Sequence, residues 1–178
     1  MIVCAGDIEQ FSFAQPIGVG LQSSAINLTR LVMMSSPEFL LFVGTAGSYG
    51  RVDLLEIVES KSACNVEHSL LFGNSYTPID NMISVYEGDV SHETIVNSSN
   101  YITTSKEVSK RYLEHNIDIE NMEFFSVMAV AKEFNIPVGG IFCITNYCNS
   151  EAHKEFMNNR LEAMNILEKY IKQRVGKS

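Results

Sequence analysis

The chain is expected to fold as an α/β protein, a three-layer α/β/α sandwich around a central mixed, mainly parallel sheet. Three observations carry that expectation. Apolar runs of strand length alternate with segments of helical periodicity along the chain. Residues 39–43 and the stretch after Pro137 are continuously apolar, as strands covered on both faces are. The last helical segment carries Met157, Leu161, Met164, Leu167 and Ile171 on one face and Lys154, Glu162, Glu168 and Lys172 on the other. With 178 residues, 46% of them hydrophobic, residues 1–178 are expected to form one domain with one core.

In chain order, residues 2–5 make a short buried strand that opens at Gly6-Asp7 into a loop. The run 11–19 contains Pro16, which limits a strand there to an edge position or ends it. Gly18-Val19-Gly20 leads into a helix whose apolar positions Leu21, Ala25, Leu28 and Val32 repeat at helical spacing until Ser35-Ser36-Pro37. Strand 39–43 is followed by the glycine loop 44–50, Gly-Thr-Ala-Gly-Ser-Tyr-Gly. Residues 55–63, 83–86 and 95–102 read as further strands, separated in part by a Gly/Asn/Pro-rich connection with no assignable element. Thr104 and Glu107 have capping-box spacing for a helix that continues to about His115. A helix over 121–134, apolar on nearly every side, turns at Ile136-Pro137 into the strand that ends in Thr145-Asn146, and the amphipathic helix spans roughly 150–174.

Composition excludes several function classes. A net charge of -8, with no cluster of Lys or Arg, argues against nucleic acid and anionic membrane as partners. No apolar stretch approaches the roughly 20 residues of a membrane span, and the N-terminal residues lack the pattern of a signal peptide. Cys4, Cys64, Cys143 and Cys148 have no CxxC spacing and read as buried reduced thiols of a cytoplasmic protein. The four histidines, His68, His92, His115 and His153, stand apart without metal-ligand spacing, and no GxSxG elbow is present. His68 beside Glu67 reads as a solvated strand end. Neither a metal nor a cofactor is expected.

Ligands of open α/β sheets bind beyond the carboxyl ends of strands, which directs attention to the glycine turns and to two polar residues. The Gly18–Gly20 turn either presents amides at a helix N-terminus to an anion or a sugar hydroxyl, or simply permits close helix packing. In the 44–50 loop, Thr45 adds a hydroxyl where the backbone can approach a ligand closely. Glu123 lies in a helix with no other room for charge, so its carboxylate must accept hydrogen bonds, from two vicinal hydroxyls of a ribose or from a helix end. Asn146 closes an apolar strand with a carboxamide that can read the edge of a 6-oxopurine or form a turn. Tyr101 can stack on a base or pack.

These segments together resemble the nucleoside phosphorylase and nucleosidase superfamily. Residues 17–25 resemble its glycine turn and small-residue helix, and 43–47 (Val-Gly-Thr-Ala-Gly) its GS/TAG loop. Asn121-Met-Glu123 is similar to its ribose-binding segment, and Ile144-Thr-Asn146 sits where it addresses the purine. The resemblance implies that Met122 and Glu123 hold the ribose, and that Thr45, Ala46 and Gly47 contact phosphate and sugar. Gly18 and Gly20 belong to the substrate site, Tyr101 and Ile102 flank the base, and Asn146 stabilises the departing purine. An acid after the first strand corresponds to Glu9 or Asp7. Asparagine in place of the aspartate of adenine-handling members implies a purine nucleoside phosphorylase acting on guanosine or inosine, with phosphate as co-substrate. The alternatives are a water-using nucleosidase of the methylthioadenosine/S-adenosylhomocysteine or futalosine type and a non-catalytic nucleoside-binding member. The family's phosphate-binding arginine has Phe42 in its place, and Arg30 and Arg51 do not fit the motif. The resemblance also implies a homo-oligomer, a dimer, trimer or hexamer.

Overall fold

The computed structural model of the chain describes residues 1–85 and 93–175. Among these the elements are β1 (Ile2–Cys4), β2 (Gln15–Pro16), α1 (Leu21–Ser35), β3 (Leu40–Ser48), β4 (Ile57–Ser60), β5 (Ser62–Cys64) and α2 (His68–Leu71). They continue with β6 (Met82–Ser84), β7 (Ile95–Ser98), α3 (Lys106–Glu114), β8 (Ile119–Asn121), α4 (Phe124–Glu133), β9 (Val138–Tyr147) and α5 (Ala152–Val175). One sheet runs β2-β1-β3-β8-β7-β5-β6, with β9 on the other edge of β3 and β4 outside β9. Pairings β1–β2, β1–β3, β3–β9, β5–β7 and β7–β8 are parallel; β3–β8, β4–β9 and β5–β6 are antiparallel. The mixed, mainly parallel sheet is the one the alternating pattern predicts.

The two long central strands explain why their sequences are apolar without alternation. Val43, Ile141 and Cys143 pack with Ala163, Leu167 and Ile171 of α5. Phe42, Phe142 and Ile144 pack on the opposite side with Leu28 and Val32 of α1 and Phe124, Val127 and Met128 of α4. Successive residues of a strand point to opposite faces, so a strand buried on both needs apolar residues at every position. The rings of Phe42, Phe124 and Phe142 lie 5.1 to 6.0 Å apart. Each fully buried ring of this kind stabilises the fold by about 1.5–3 kcal/mol. Gly140 makes room for them, since a Cβ there would stand 2.6 Å from the Phe142 ring and 2.7 Å from that of Phe124.

Several local expectations change. The glycine segment from Gly44 to Ser48 is strand, because β3 keeps its parallel pairing with β9 as far as Ser48 through a register shift between Ala46 and Gly47. Only Gln15 and Pro16 of 11–19 pair, parallel to β1. The 55–63 run divides at Lys61 into β4, which pairs with β9, and β5, which pairs with β6 and β7. The unassigned connection holds α2, which begins at His68, so that residue is not a strand end. The cap of α3 is Ser105, whose side chain accepts from the Val108 amide, in place of Thr104. Helix α4 begins at Phe124, with β8 before it; Glu123 is its N-cap residue. The 95–102 strand ends at Ser98, leaving Tyr101 and Ile102 in a loop. Tyr86 of the 83–86 run and His92 lie outside the described residues.

One feature of the sheet makes room for a ligand. Along a single edge of β3, β1 pairs at Leu41 and Phe42, whereas β8 pairs in the opposite direction at Gly47 and Ser48. Residues 43–46 have neither partner on that edge, and the sheet opens there at the carboxyl end of β1.

Candidate active site

A crevice of about 310 Å³ occupies this opening, walled by the 5–9 turn, the ends of β3, β8 and β9, the 101–102 loop and the start of α5. The volume suits a nucleoside-sized molecule. Four carboxylates, Asp7, Glu9, Glu120 and Glu123, are among its lining residues, and among the described residues no Lys or Arg lines it.

Glu9 is aimed by a tight turn. Gly6 and Asp7 both have positive φ, 92° and 55°, and the Glu9 amide returns to the Gly6 carbonyl at 3.0 Å. A side chain at Gly6 would also collide with Pro16, 2.9 Å from its Cβ, so the turn requires glycine there. The Glu9 carboxylate thereby reaches the unpaired edge of β3. It accepts from the Thr45 amide at 3.2 Å and from the Thr45 hydroxyl at 2.5 Å. Burial raises its carboxyl above the ordinary range, against the pull of the two Thr45 bonds and the charge of Arg160.

Glu123 is held from the other side. Its Oε1 accepts from the Gly20 amide at 2.9 Å. Its Oε2 accepts from the Met122 amide at 3.2 Å and the Asn121 carboxamide at 3.3 Å. Burial pushes its carboxyl up to about 7, with the charge of Glu9 adding to the rise and the Gly20 and Met122 amides opposing it. All three donors to Glu123 are neutral, and the bonds to Oε2 are long, so the carboxylate retains capacity to accept from hydroxyls in the crevice.

At the far end, Asn146 and Glu120 stand on either side of Gly47, which is paired with Asn146 on β9 and with Glu120 on β8. A Cβ on Gly47 would come 2.9 Å from Asn146 Nδ2 and 3.5 Å from Glu120 Cγ. Cys148 Sγ would stand equally close, at 2.9 Å, so the missing side chain lets a carboxamide, a thiol and a carboxylate close in on the strand. Asn146 accepts from the Thr145 hydroxyl at 3.0 Å and donates to the Tyr147 carbonyl at 3.3 Å, which leaves one amide proton and one lone pair uncommitted. Glu120 Oε1 accepts from the Thr103 amide at 2.8 Å, and Oε2 accepts from the hydroxyls of Thr103 and Tyr49, each at 2.7 Å.

Of the residues singled out in the sequence, Asp7, Glu9, Thr45, Ala46, Gly47, Tyr101, Ile102, Met122, Glu123 and Asn146 all line the crevice. Gly18 and Gly20 do not; Gly20 acts through its amide on Glu123, and the next amide, Leu21, is taken by Asn100. These donors hold side chains of the chain itself, so this turn does not offer them to an anion. Arg51 is committed to Asp118, and neither it nor Arg30 lines the crevice. Glu120, His153 and Phe156 also line it without having been singled out as site residues. Glu120 sits on a three-residue strand too short to show a period. The spacing of His153 and Phe156, three apart at the start of α5, is the one available signal. Among the described residues no three of the His, Cys, Asp and Glu side chains form a metal-binding group, and no helix is long and apolar enough to cross a membrane.

The family model for the phosphorylase superfamily matches residues 2–173. No curated protein matches the chain in sequence. Among solved structures, the chain is similar to the 5'-methylthioadenosine/S-adenosylhomocysteine nucleosidase of Helicobacter pylori bound to butyl-thio-DADMe-Immucillin-A, with a TM-score of 0.78 and 17% identity over 93% of this chain and 79% of that one. Futalosine hydrolase of Helicobacter pylori superposes with a TM-score of 0.79 at 17% identity, over 93% and 79% of the two chains. The corresponding nucleosidase of Streptococcus pneumoniae in complex with 8-aminoadenine gives a TM-score of 0.77 at 15% identity, over 96% and 95%. At these identities the likeness is one of fold.

Proposed function

The chain belongs to the phosphorylase superfamily, and from that premise we propose that it cleaves the N-glycosidic bond of purine nucleosides with water as the acceptor. One observation carries the choice of water over phosphate. The donors that the sequence allots to an anion are already bonded to carboxylates of the chain, both Thr45 donors to Glu9 and the Gly20 amide to Glu123. A phosphate dianion in this crevice would face four carboxylates with no Lys or Arg among the described lining residues to offset them. Phosphorolysis, the reading first implied by the resemblance, needs a cation that the described residues of this lining do not supply. The solved neighbours named as nucleosidases and as a hydrolase point the same way.

In this reading the ribose lies over Met122 with its hydroxyls on Glu123, and Glu9 accepts a proton from the water that attacks C1′ as the bond to the base breaks. A positioned general base of this kind contributes about 10²–10⁴-fold. The base lies between the 101–102 loop and the end of β3 at Gly47. Asn146 donates to O6 or N7, which favours 6-oxopurines, guanosine or inosine, over adenine nucleosides. A second copy of the chain covers the exposed rim formed by Tyr101 and Ile102, which are 77% and 54% exposed, so the active protein is a homo-oligomer. Incubation with inosine or guanosine tests the reaction: free ribose and base form at the same rate with and without phosphate. Ribose 1-phosphate appearing only when phosphate is added overturns the hydrolytic reading.

A further inference from the structure

Helix α4 begins on a residue that does not cap it. Glu123 holds the N-cap position, but its side chain makes no capping bond and reaches the Gly20 amide instead. The acceptor for the helix start comes from two residues earlier. Asn121, the last residue of β8, is 8% exposed and lines the crevice. Its Oδ1 accepts from the Phe124 amide at 3.1 Å and the Glu123 amide at 3.4 Å, donors that a helix start leaves open. The same oxygen accepts from the Ser98 hydroxyl at 2.8 Å, and Ser98 Oγ is itself fixed by the Phe125 amide at 2.9 Å. All three partners of Oδ1 are donors, which assigns the carboxamide: Nδ2 faces Glu123 and donates to its Oε2 at 3.3 Å.

We infer that Asn121 is the positioning residue for the sugar end of the site: it caps α4 with one atom of its carboxamide and orients the Glu123 carboxylate toward the ribose hydroxyls with the other. The inference rests on the proposed reading of Glu123 as the acceptor for those hydroxyls. The first two amides of the helix, Phe124 and Phe125, go to Asn121 and Ser98, so the Glu123 carboxylate is not drawn back onto them. Its direction is set by Gly20 on Oε1 and by Asn121 and Met122 on Oε2. The two tasks of Asn121 have different chemical requirements. Capping needs an acceptor, which Asn and Asp both supply. Holding a carboxylate needs a donor, and an ionised Asp has none; in place of Asn121 it would still accept from Ser98, Glu123 and Phe124 but would turn an oxygen toward Oε2 of Glu123.

The test compares two substrates on the full-length protein: inosine, and 2′,3′-dideoxyinosine, which has the same base and the same bond but no hydroxyl for Glu123. Asn121→Asp is expected to keep the circular dichroism of wild type and to lose about 10- to 100-fold in kcat/KM on inosine. On dideoxyinosine, read as turnover or as its inhibition constant against inosine, the expected loss is less than about threefold. In a Glu123→Gln background the effect reverses. The Gly20 amide there holds the Gln oxygen, which turns the Gln amide nitrogen toward the Nδ2 donor of Asn121, and Asn121→Asp supplies the acceptor that this nitrogen needs. The double variant is therefore expected to match or exceed Glu123→Gln alone on inosine. Equal losses on both substrates in Asn121→Asp assign Asn121 a purely structural role and overturn the proposal, as does an unchanged inosine rate. If Asn121→Asp does not fold, the double variant decides, and a further loss relative to Glu123→Gln overturns the proposal. If wild type does not cleave inosine, the nucleoside-cleaving reading fails and this assignment falls with it. If wild type cleaves inosine and Asn121→Asp shows no dependence on the sugar hydroxyls, only the assignment fails.

Discussion

The two ends of the β3–β9 pair use acidic side chains in opposite ways. At the amino end, a cavity of about 410 Å³ is lined by Glu59, Lys61, Glu93 and Arg174. Glu59 there pairs with Arg174 at 2.6 Å and accepts from the Tyr170 hydroxyl at 2.5 Å. At the carboxyl end, Glu9 and Glu123 accept from amides, a hydroxyl and a carboxamide. A carboxylate opposite a cation has its charge offset where it stands. Where the hydrogen-bond donors are neutral and the crevice is buried, desolvation outweighs the opposing interactions and the affinity for protons rises. Glu9 and Glu123 show that rise, Glu123 to about 7. The β3–β9 pair thus lies between an ion pair that ties α5 to β4 at one end and carboxylates of raised proton affinity at the other.

The comparison breaks most sharply at Glu9. Replacing it by Gln keeps the shape and removes the base, so kcat on inosine falls about 10³-fold while the folded state persists by circular dichroism; an unchanged kcat contradicts its role. Glu123 comes next, through stability. Its folded-state carboxyl, near 7 against an ordinary 4.5, makes the folded chain bind more protons than the unfolded chain between those values. Stability therefore falls as pH rises through that window, by about 3 kcal/mol from this group. Urea unfolding at pH 5 and pH 8 shows this fall in wild type, and Glu123→Gln flattens it. A wild-type slope of the other sign breaks the argument. The smallest effect lies at the opposite end. Glu59 and Arg174 are partly exposed, with side chains 43% and 55% accessible, so Glu59→Gln costs at most about 1 kcal/mol and leaves turnover within twofold. A large loss of turnover there would show that the two ends are coupled.

How much of this was legible in the residues follows the same division. The central strands and flanking helices could be read, because burial on two faces or one leaves a period in sequence. Glu123 and Asn146 stood out as polar residues in apolar surroundings, and both line the crevice. What could not be read was where donors go. The Gly18–Gly20 and Thr45 segments look like free anion sites until Glu9 and Glu123 are seen occupying them, and those contacts span 36 and 103 residues of chain. Glu120 was invisible for a related reason. Its strand, β8, has three residues, and its partners Thr103 and Tyr49 come from other segments. The reversal of β8 against β3, which opens the crevice, is a tertiary choice with no local signature.

The hydrolytic claim is tested most directly by the origin of the oxygen placed on C1′. Inosine turned over in H₂¹⁸O with ordinary phosphate present is predicted to give ribose carrying ¹⁸O, read by mass spectrometry on product reduced immediately to ribitol so that later exchange is excluded. Unlabelled ribose 1-phosphate as the first product, with its oxygen from phosphate, contradicts the account.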